Sequence, residues 1–204
     1  MKTKLKGCLV LGFVLSRSAA QTSPILTIQV TNQAEVDRAT LVQAENTATG
    51  IFAKTGVELR WIEPTGGASF PLSHIQLIIL PSSMSIGSGL PGNAMGLAPG
   101  SGADRQSAYV FYSRVEALAV KHAAVTAQIL GHAIAHEIGH LLLNDQPHSP
   151  SGIMRGDWNL WDLRNASYGY LLFTPRQAKA IQQEARRRWS SWDGCTIATL
   201  RCLW

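Results

Sequence analysis

His136-Glu137-Ile138-Gly139-His140-Leu141-Leu142-Leu143-Asn144-Asp145-Gln146-Pro147-His148-Ser149-Pro150-Ser151-Gly152-Ile153-Met154 is the stretch on which the reading of this chain turns. His136 and His140 stand four residues apart in a segment with helical patterning. On a helix that spacing sets both imidazoles on one face, about one 5.4 Å turn apart. Two nitrogens so placed can reach a single Zn²⁺ at roughly 2.0–2.1 Å. Glu137 follows the first histidine, where its carboxylate can lie beside the metal and act as general base toward a water.

The surrounding residues sharpen this expectation. From Ala123 to Leu143 the chain is apolar nearly all round, with Val125, Ala127, Ile129, Leu130, Ile134, Ile138, Leu141, Leu142 and Leu143. Such a helix belongs inside a core. Buried imidazoles and carboxylates without partners are costly, so His136, Glu137 and His140 need a compensating interaction, which a metal ion supplies. A chance His-Glu-x-x-His on a surface helix is the competing explanation, and the apolar flanks argue against it.

Past Leu143 the chain must turn and return a third ligand. Asn144 is the expected turning point, since Asn tolerates the left-handed conformation. His148 is the preferred third ligand and Asp145 the competitor, because a loop can present either an imidazole or a carboxylate to zinc. Ser151-Gly152-Ile153-Met154 then sets Met154 in a tight turn after a glycine; an ordinary core methionine is the plainer account of it.

Taken together, His136-Glu-x-x-His140, a turning residue, His148 and the Met154 turn resemble the metzincin clan of zinc endopeptidases. The resemblance implies His136, His140 and His148 as ligands of one catalytic zinc, Glu137 as general base and Met154 as the apolar floor of the site. It also implies an α+β fold, with a twisted mixed sheet, a long zinc-binding helix, a methionine turn and a C-terminal helix. Two departures stand out. The usual glycine three residues after the second histidine is Leu143, with Asn144 one place later, and the third histidine comes two residues late. The spacing is closer to extended archaemetzincin-like and uncharacterised bacterial members than to astacins or matrixins. Where some relatives carry an auxiliary tyrosine two residues after the methionine, this chain has Gly156.

Residues 1–20 have the pattern of a secretory leader: Lys2, Lys4 and Lys6, an apolar run from Cys8 to Leu15, then Ser18-Ala19-Ala20. The run is too short to span a bilayer. Residues 21–204 are then expected to form one catalytic domain, secreted to the extracellular space or periplasm, monomeric and without a membrane span. The formal charge of +5 shrinks accordingly: without Lys2, Lys4, Lys6 and Arg17, 14 of the 18 Lys and Arg remain against 13 Asp and Glu. That balance points to no nucleic-acid partner. Arg186, Arg187 and Arg188 form the basic cluster, expected at a helix end where cations favour the dipole. Cys195 and Cys202 are expected to close a small disulfide loop in a secreted chain. With about four residues between Ala20 and the first strand, no masking pro-segment is expected, and the chain should be competent once folded and loaded with zinc.

Along the chain, Ile25–Thr31 is an expected strand. Asn32 with Glu35 resembles a capping box opening a helix from about Gln33 to Lys54, closed by Gly56. Strands follow at Val57–Ile62 and Ile75–Leu80, implying a parallel β-α-β start. Residues 81–106 are dense in Gly, Ser and Pro, and within them Ala94-Met95-Gly96-Leu97 could form a short edge strand. By analogy with the clan, these four residues would pair with an extended peptide, although an ordinary glycine loop fits equally well. Ala108–Tyr112 is a further strand and Arg114–Val120 a helical turn. Thr174-Pro175 opens a last helix over Gln177–Arg188. Trp158 and the stretch to Tyr170 are where a side-chain pocket for substrate is expected. His132, one turn before His136, is taken as a core or supporting histidine, His74 and His122 as structural or solvated, and Asn165-Ala166-Ser167 as a glycosylation sequon only in a eukaryotic source.

The function implied is zinc-dependent hydrolysis of peptide bonds, with peptide or protein as substrate. Two alternatives come from other classes: a zinc-bound adhesion or binding module without catalysis, and a zinc hydrolase acting on a non-peptide bond.

Overall fold

Leu26, Ile28 and Val30 alternate with half-polar neighbours, and this period-2 pattern lays one strand face on the core. The computed structural model of the chain describes residues 22–64, 73–82, 94–99, 105–144 and 148–201, without side chains for 191–201. The expected leader, Asp145 and Cys202 lie outside the described residues.

The chain begins with β1 (Ile25–Asn32), α1 (Arg38–Ala53) and β2 (Glu58–Ile62), then β3 (His74–Leu80), the two-residue β4 (Gly96–Leu97) and β5 (Ser107–Phe111). Four helices follow: α2 (Tyr112–Lys121), α3 (Thr126–Leu142), α4 (Leu160–Ser167) and α5 (Pro175–Arg201). The five strands form one sheet in the order β2-β1-β3-β5-β4. Every pairing is parallel except β4 with β5, where Gly96 faces Val110 and Leu97 faces Tyr109. The mixed sheet, the long histidine-bearing helix, the methionine turn and the C-terminal helix are therefore present as expected.

The core lies between one sheet face and helices α1 and α3. Leu26, Ile28, Ile75, Leu77, Ile79, Ala108 and Val110 meet Ala44, Ala48 and Phe52 of α1 and Ile129, Leu130, Ile134 and Ile138 of α3, all of them buried. Side chains of this size stabilise by about 1.5–3 kcal/mol each when fully buried. Helix α3 is enclosed on nearly every side, as the apolar residues around its circumference demand. Gly131 makes this possible against α1: a Cβ there would lie 2.6 Å from the Ala44 carbonyl oxygen.

Several boundaries differ from the sequence reading. Helix α1 begins at Arg38, not near Gln33, and its N-cap is Asp37, whose carboxylate accepts from Thr40 N at 3.0 Å. The Asn32 side chain instead bridges to Val36, accepting from its N–H at 3.1 Å and donating to its carbonyl at 2.8 Å. Glu35 sits at φ 54°, a left-handed conformation that no right-handed helix can continue. Helix α4 was not anticipated. Its capping box is nonetheless written in the chain: Asn159 accepts from Asp162 N, and Asp162 returns the bond to Asn159 N, both at 3.0 Å. Helix α5 opens at Thr174-Pro175 as expected but runs to Arg201, so Arg186, Arg187 and Arg188 lie within it and not at its end. Arg188 is 0% exposed. It donates to Glu184 Oε1 at 2.8 Å, the Arg105 carbonyl at 2.8 Å and the Leu141 carbonyl at 2.7 Å, latching α5 to the end of α3. The backbone of Cys195 belongs to α5; its expected bond to Cys202 involves a residue outside those described.

Candidate metal centre

Helix α3 presents His136 and His140 on one face, and Asn144, at φ 46°, turns the chain away from the helix end. The chain re-enters at His148, which is solvent-facing. The three Nε2 atoms form a small triangle: 3.0 Å from His136 to His140, 3.3 Å from His136 to His148 and 3.2 Å from His140 to His148. Three nitrogens bound tetrahedrally to zinc at 2.0–2.1 Å would lie about 3.3 Å apart, so the observed edges fit one zinc ion. The competing ligand Asp145 lies outside the described residues.

The rings are held from behind. The Ile153 carbonyl accepts from His136 Nδ1 at 2.7 Å, which puts the proton on Nδ1 and leaves Nε2 with a lone pair. The same carbonyl accepts from Trp158 Nε1 at 3.1 Å. The indole packs edge-to-face on His136, with ring centroids 6.0 Å apart. Trp158 is only 7% exposed, with its indole turned to His136 and to the Ile153 carbonyl. His132 is likewise buried, its Nδ1 donating to the Gln128 carbonyl at 2.7 Å, and it stays out of the cluster.

Charge favours metal binding. Burial, opposed by the Ile153 hydrogen bond, brings His136 down to about 4; burial and then the neighbouring His136, His148 and Arg105 bring His140 to about 3. Both rings are neutral near pH 7, the form in which imidazole is a ligand. Glu137 is 5% exposed, and burial pushes it up to about 8. A dication beside it would favour the ionised form.

The turn that carries Met154 packs beneath the three-histidine cluster. Gly152, at φ 74°, turns the chain, Ile153 N donates to the Leu172 carbonyl at 3.0 Å, and Ser149 N donates to the Met154 carbonyl at 2.9 Å. Met154 is buried against α3 at Gly139, where an added Cβ would meet its Sδ at 2.7 Å. Gly156 lies against the His148 ring, its absent Cβ 2.7 Å from Nδ1. A side chain there would displace the His148 ring.

The Ala94–Leu97 segment borders the site. Only Gly96 and Leu97 form strand, and β4 ends the sheet order among the described residues. Two arginines that the sequence reading did not single out fasten it. Arg114 donates to the Ala94 carbonyl. Arg105 reaches the Ala98 carbonyl at 3.4 Å and the His140 carbonyl at 2.7 Å, where a cation also complements the C-terminal end of α3. No local pattern distinguishes either arginine, because both partners lie far away in the sequence.

No protein-family model and no curated protein matches the chain. Among solved structures it is similar to a zinc-dependent peptidase from Methanocorpusculum labreanum (strain Z), with a TM-score of 0.50 and 15% identity over 76% of this chain and 99% of that one. It is also similar to metalloproteinase-II from Bacteroides fragilis, with a TM-score of 0.42 and 12% identity over 82% of this chain and 55% of that one. At these identities the first likeness shows a shared fold. The chain thus has the fold of a zinc-dependent peptidase, around a three-histidine cluster suited to zinc.

Proposed function

We propose that this chain is a zinc-dependent endopeptidase of metzincin type, with His136, His140 and His148 as ligands and Glu137 as general base. The observation that carries the reading is the Nε2 triangle of 3.0–3.3 Å with a buried carboxylate on the adjoining residue. A zinc ion held there would supply Lewis acidity, polarising the scissile carbonyl and acidifying a water toward a pKa of about 7.

The chain's own residues supply the remainder. Strand β4 offers the backbone of Gly96 and Leu97 to an extended peptide, which adds as a further strand and brings its carbonyl over the histidines. Glu137 takes the proton of the attacking water at a carboxylate oxygen and delivers it to the departing amine. Met154 and Trp158 keep the ligand face dry and fixed from beneath. The Lys-rich, apolar start of the chain supports a leader over residues 1–20 and a secreted catalytic domain over 21–204. Among the described residues no helix is long and apolar enough to cross a membrane.

The test is Glu137→Gln. The variant should keep zinc and fold, yet hydrolyse peptides about 10²–10⁴-fold more slowly, the usual contribution of a positioned base. Retained hydrolysis would remove Glu137 from the mechanism. A zinc-loaded parent that cleaves no peptide at all would favour the binding-module or non-peptide alternatives.

A further inference from the structure

A second constraint acts on Glu137 from the sheet side. Gly96 packs its bare Cα against the glutamate: a Cβ built on Gly96 would lie 2.6 Å from Glu137 Cγ and 2.7 Å from Cδ. Carbon atoms in contact normally stand about 3.5–4.0 Å apart, so no side chain fits while Glu137 keeps its place. The same Cβ would press on the Tyr109 carbonyl oxygen of the paired strand.

The strand cannot easily back away. Phe111 N donates to the Met95 carbonyl at 2.8 Å, Arg114 grips the Ala94 carbonyl, and Arg105 ties the Ala98 carbonyl to the end of the histidine helix. Edge strand and helix therefore form one unit, with the glutamate clamped between them. The three histidines belong to α3 and to the segment after it, and the Cβ built on Gly96 meets Glu137 and the Tyr109 carbonyl as its nearest neighbours.

We propose that Gly96 is a positioning residue for Glu137: its missing side chain leaves the slot in which the glutamate side chain is held between strand β4 and helix α3. The proposal rests on the reading of Glu137 as the general base. It assigns Gly96 a second role beside its backbone pairing, and it makes glycine the required residue at this point of the edge strand.

Gly96→Ala should then keep one zinc per chain while kcat falls at least about 100-fold and KM moves much less, within the range a general base contributes. In a Glu137→Gln background the same substitution should change the residual rate less than about threefold, because the positioned base is already gone. A second cycle reads packing without activity. Gly96→Ala should lower Tm at least about twice as much in the parent as in Glu137→Ala, where the slot is vacated. Equal rate losses in the two backgrounds, a parent kcat within about threefold, or equal Tm losses would overturn the proposal. If Gly96→Ala does not fold, the Gly96→Ala/Glu137→Ala double variant decides: folding supports the slot, and failure to fold assigns the glycine to the Tyr109 contact alone. A parent without peptidase activity would defeat the proposed function, while the melting cycle would still decide whether Gly96 holds Glu137.

Discussion

Replacing Arg188 by methionine keeps the length of the buried stem and removes the guanidinium. Arg188 is fully buried and donates to Glu184, to the Arg105 carbonyl and to the Leu141 carbonyl, so the change strips three acceptors at once. Glu184 is itself buried, and it keeps a partner in Arg187 at 2.8 Å. Breaking a buried pair by removing one member costs about 3–5 kcal/mol. For a chain of this size each kcal/mol moves Tm by about 2–4 °C, so the loss should be about 6–20 °C. The sign of the pH dependence follows from Glu184. Burial acts to raise its pKa, but the hydrogen bonds and charges of Arg187 and Arg188 outweigh burial and the net shift is downward. Its stabilising contribution is thus present above the unfolded value of about 4.3 and is lost as pH falls through the lower folded value. Urea or thermal melts from pH 7 to pH 3 should show that acid-limb slope in the parent and a shallower one in Arg188→Met. Arg188→Lys, whose three donors sit on one nitrogen and cannot span the acceptors that the guanidinium fork reaches, should fall between them. A Tm within about 2 °C of the parent would refute the latch between α5 and α3.

Two further outcomes concern the metal. His148→Ala should weaken zinc binding steeply while Asp145→Ala leaves it unchanged, as read by competition with a chromogenic chelator; metal affinity that followed Asp145 would move the third ligand into the loop. Trp158→Phe keeps an aromatic ring against His136 but removes the donor to the Ile153 carbonyl, and zinc affinity should drop about 10-fold, the lower end for outer-shell partners. An unchanged affinity with an altered peptide preference would instead return Trp158 to the substrate pocket.

What the sequence disclosed followed the range of the interactions involved. His136, Glu137 and His140 are legible because helix geometry alone brings them together, and Asn144 is legible because a left-handed turn restricts residue choice. The strands facing the core are legible from alternation, and α5 from Thr174-Pro175. The start of α1 is misread because Asn32 has two local partners available and takes Val36, while Asp37 caps the helix instead. Helix α4 is overlooked because the stretch from Trp158 to Tyr170 is read as a loop that forms a pocket, although Asn159 and Asp162 spell a capping box. Arg188 and Gly96 act through partners distant in the chain, as does Trp158 where it packs on His136, and nothing local distinguishes a buried indole from an exposed one. The basic cluster is the plainest case: three adjacent arginines are expected at a helix end, yet they lie within α5 and one of them is wholly enclosed.

The most direct measurement is hydrolysis of a mixed peptide library by the zinc-loaded protein, before and after chelation and after return of metal. The account predicts cleavage that disappears with the chelator and returns in full on adding one equivalent of zinc, the quantity the single three-histidine cluster among the described residues can hold. Cleavage that persists in the stripped protein, or no cleavage by protein carrying its zinc, would contradict it.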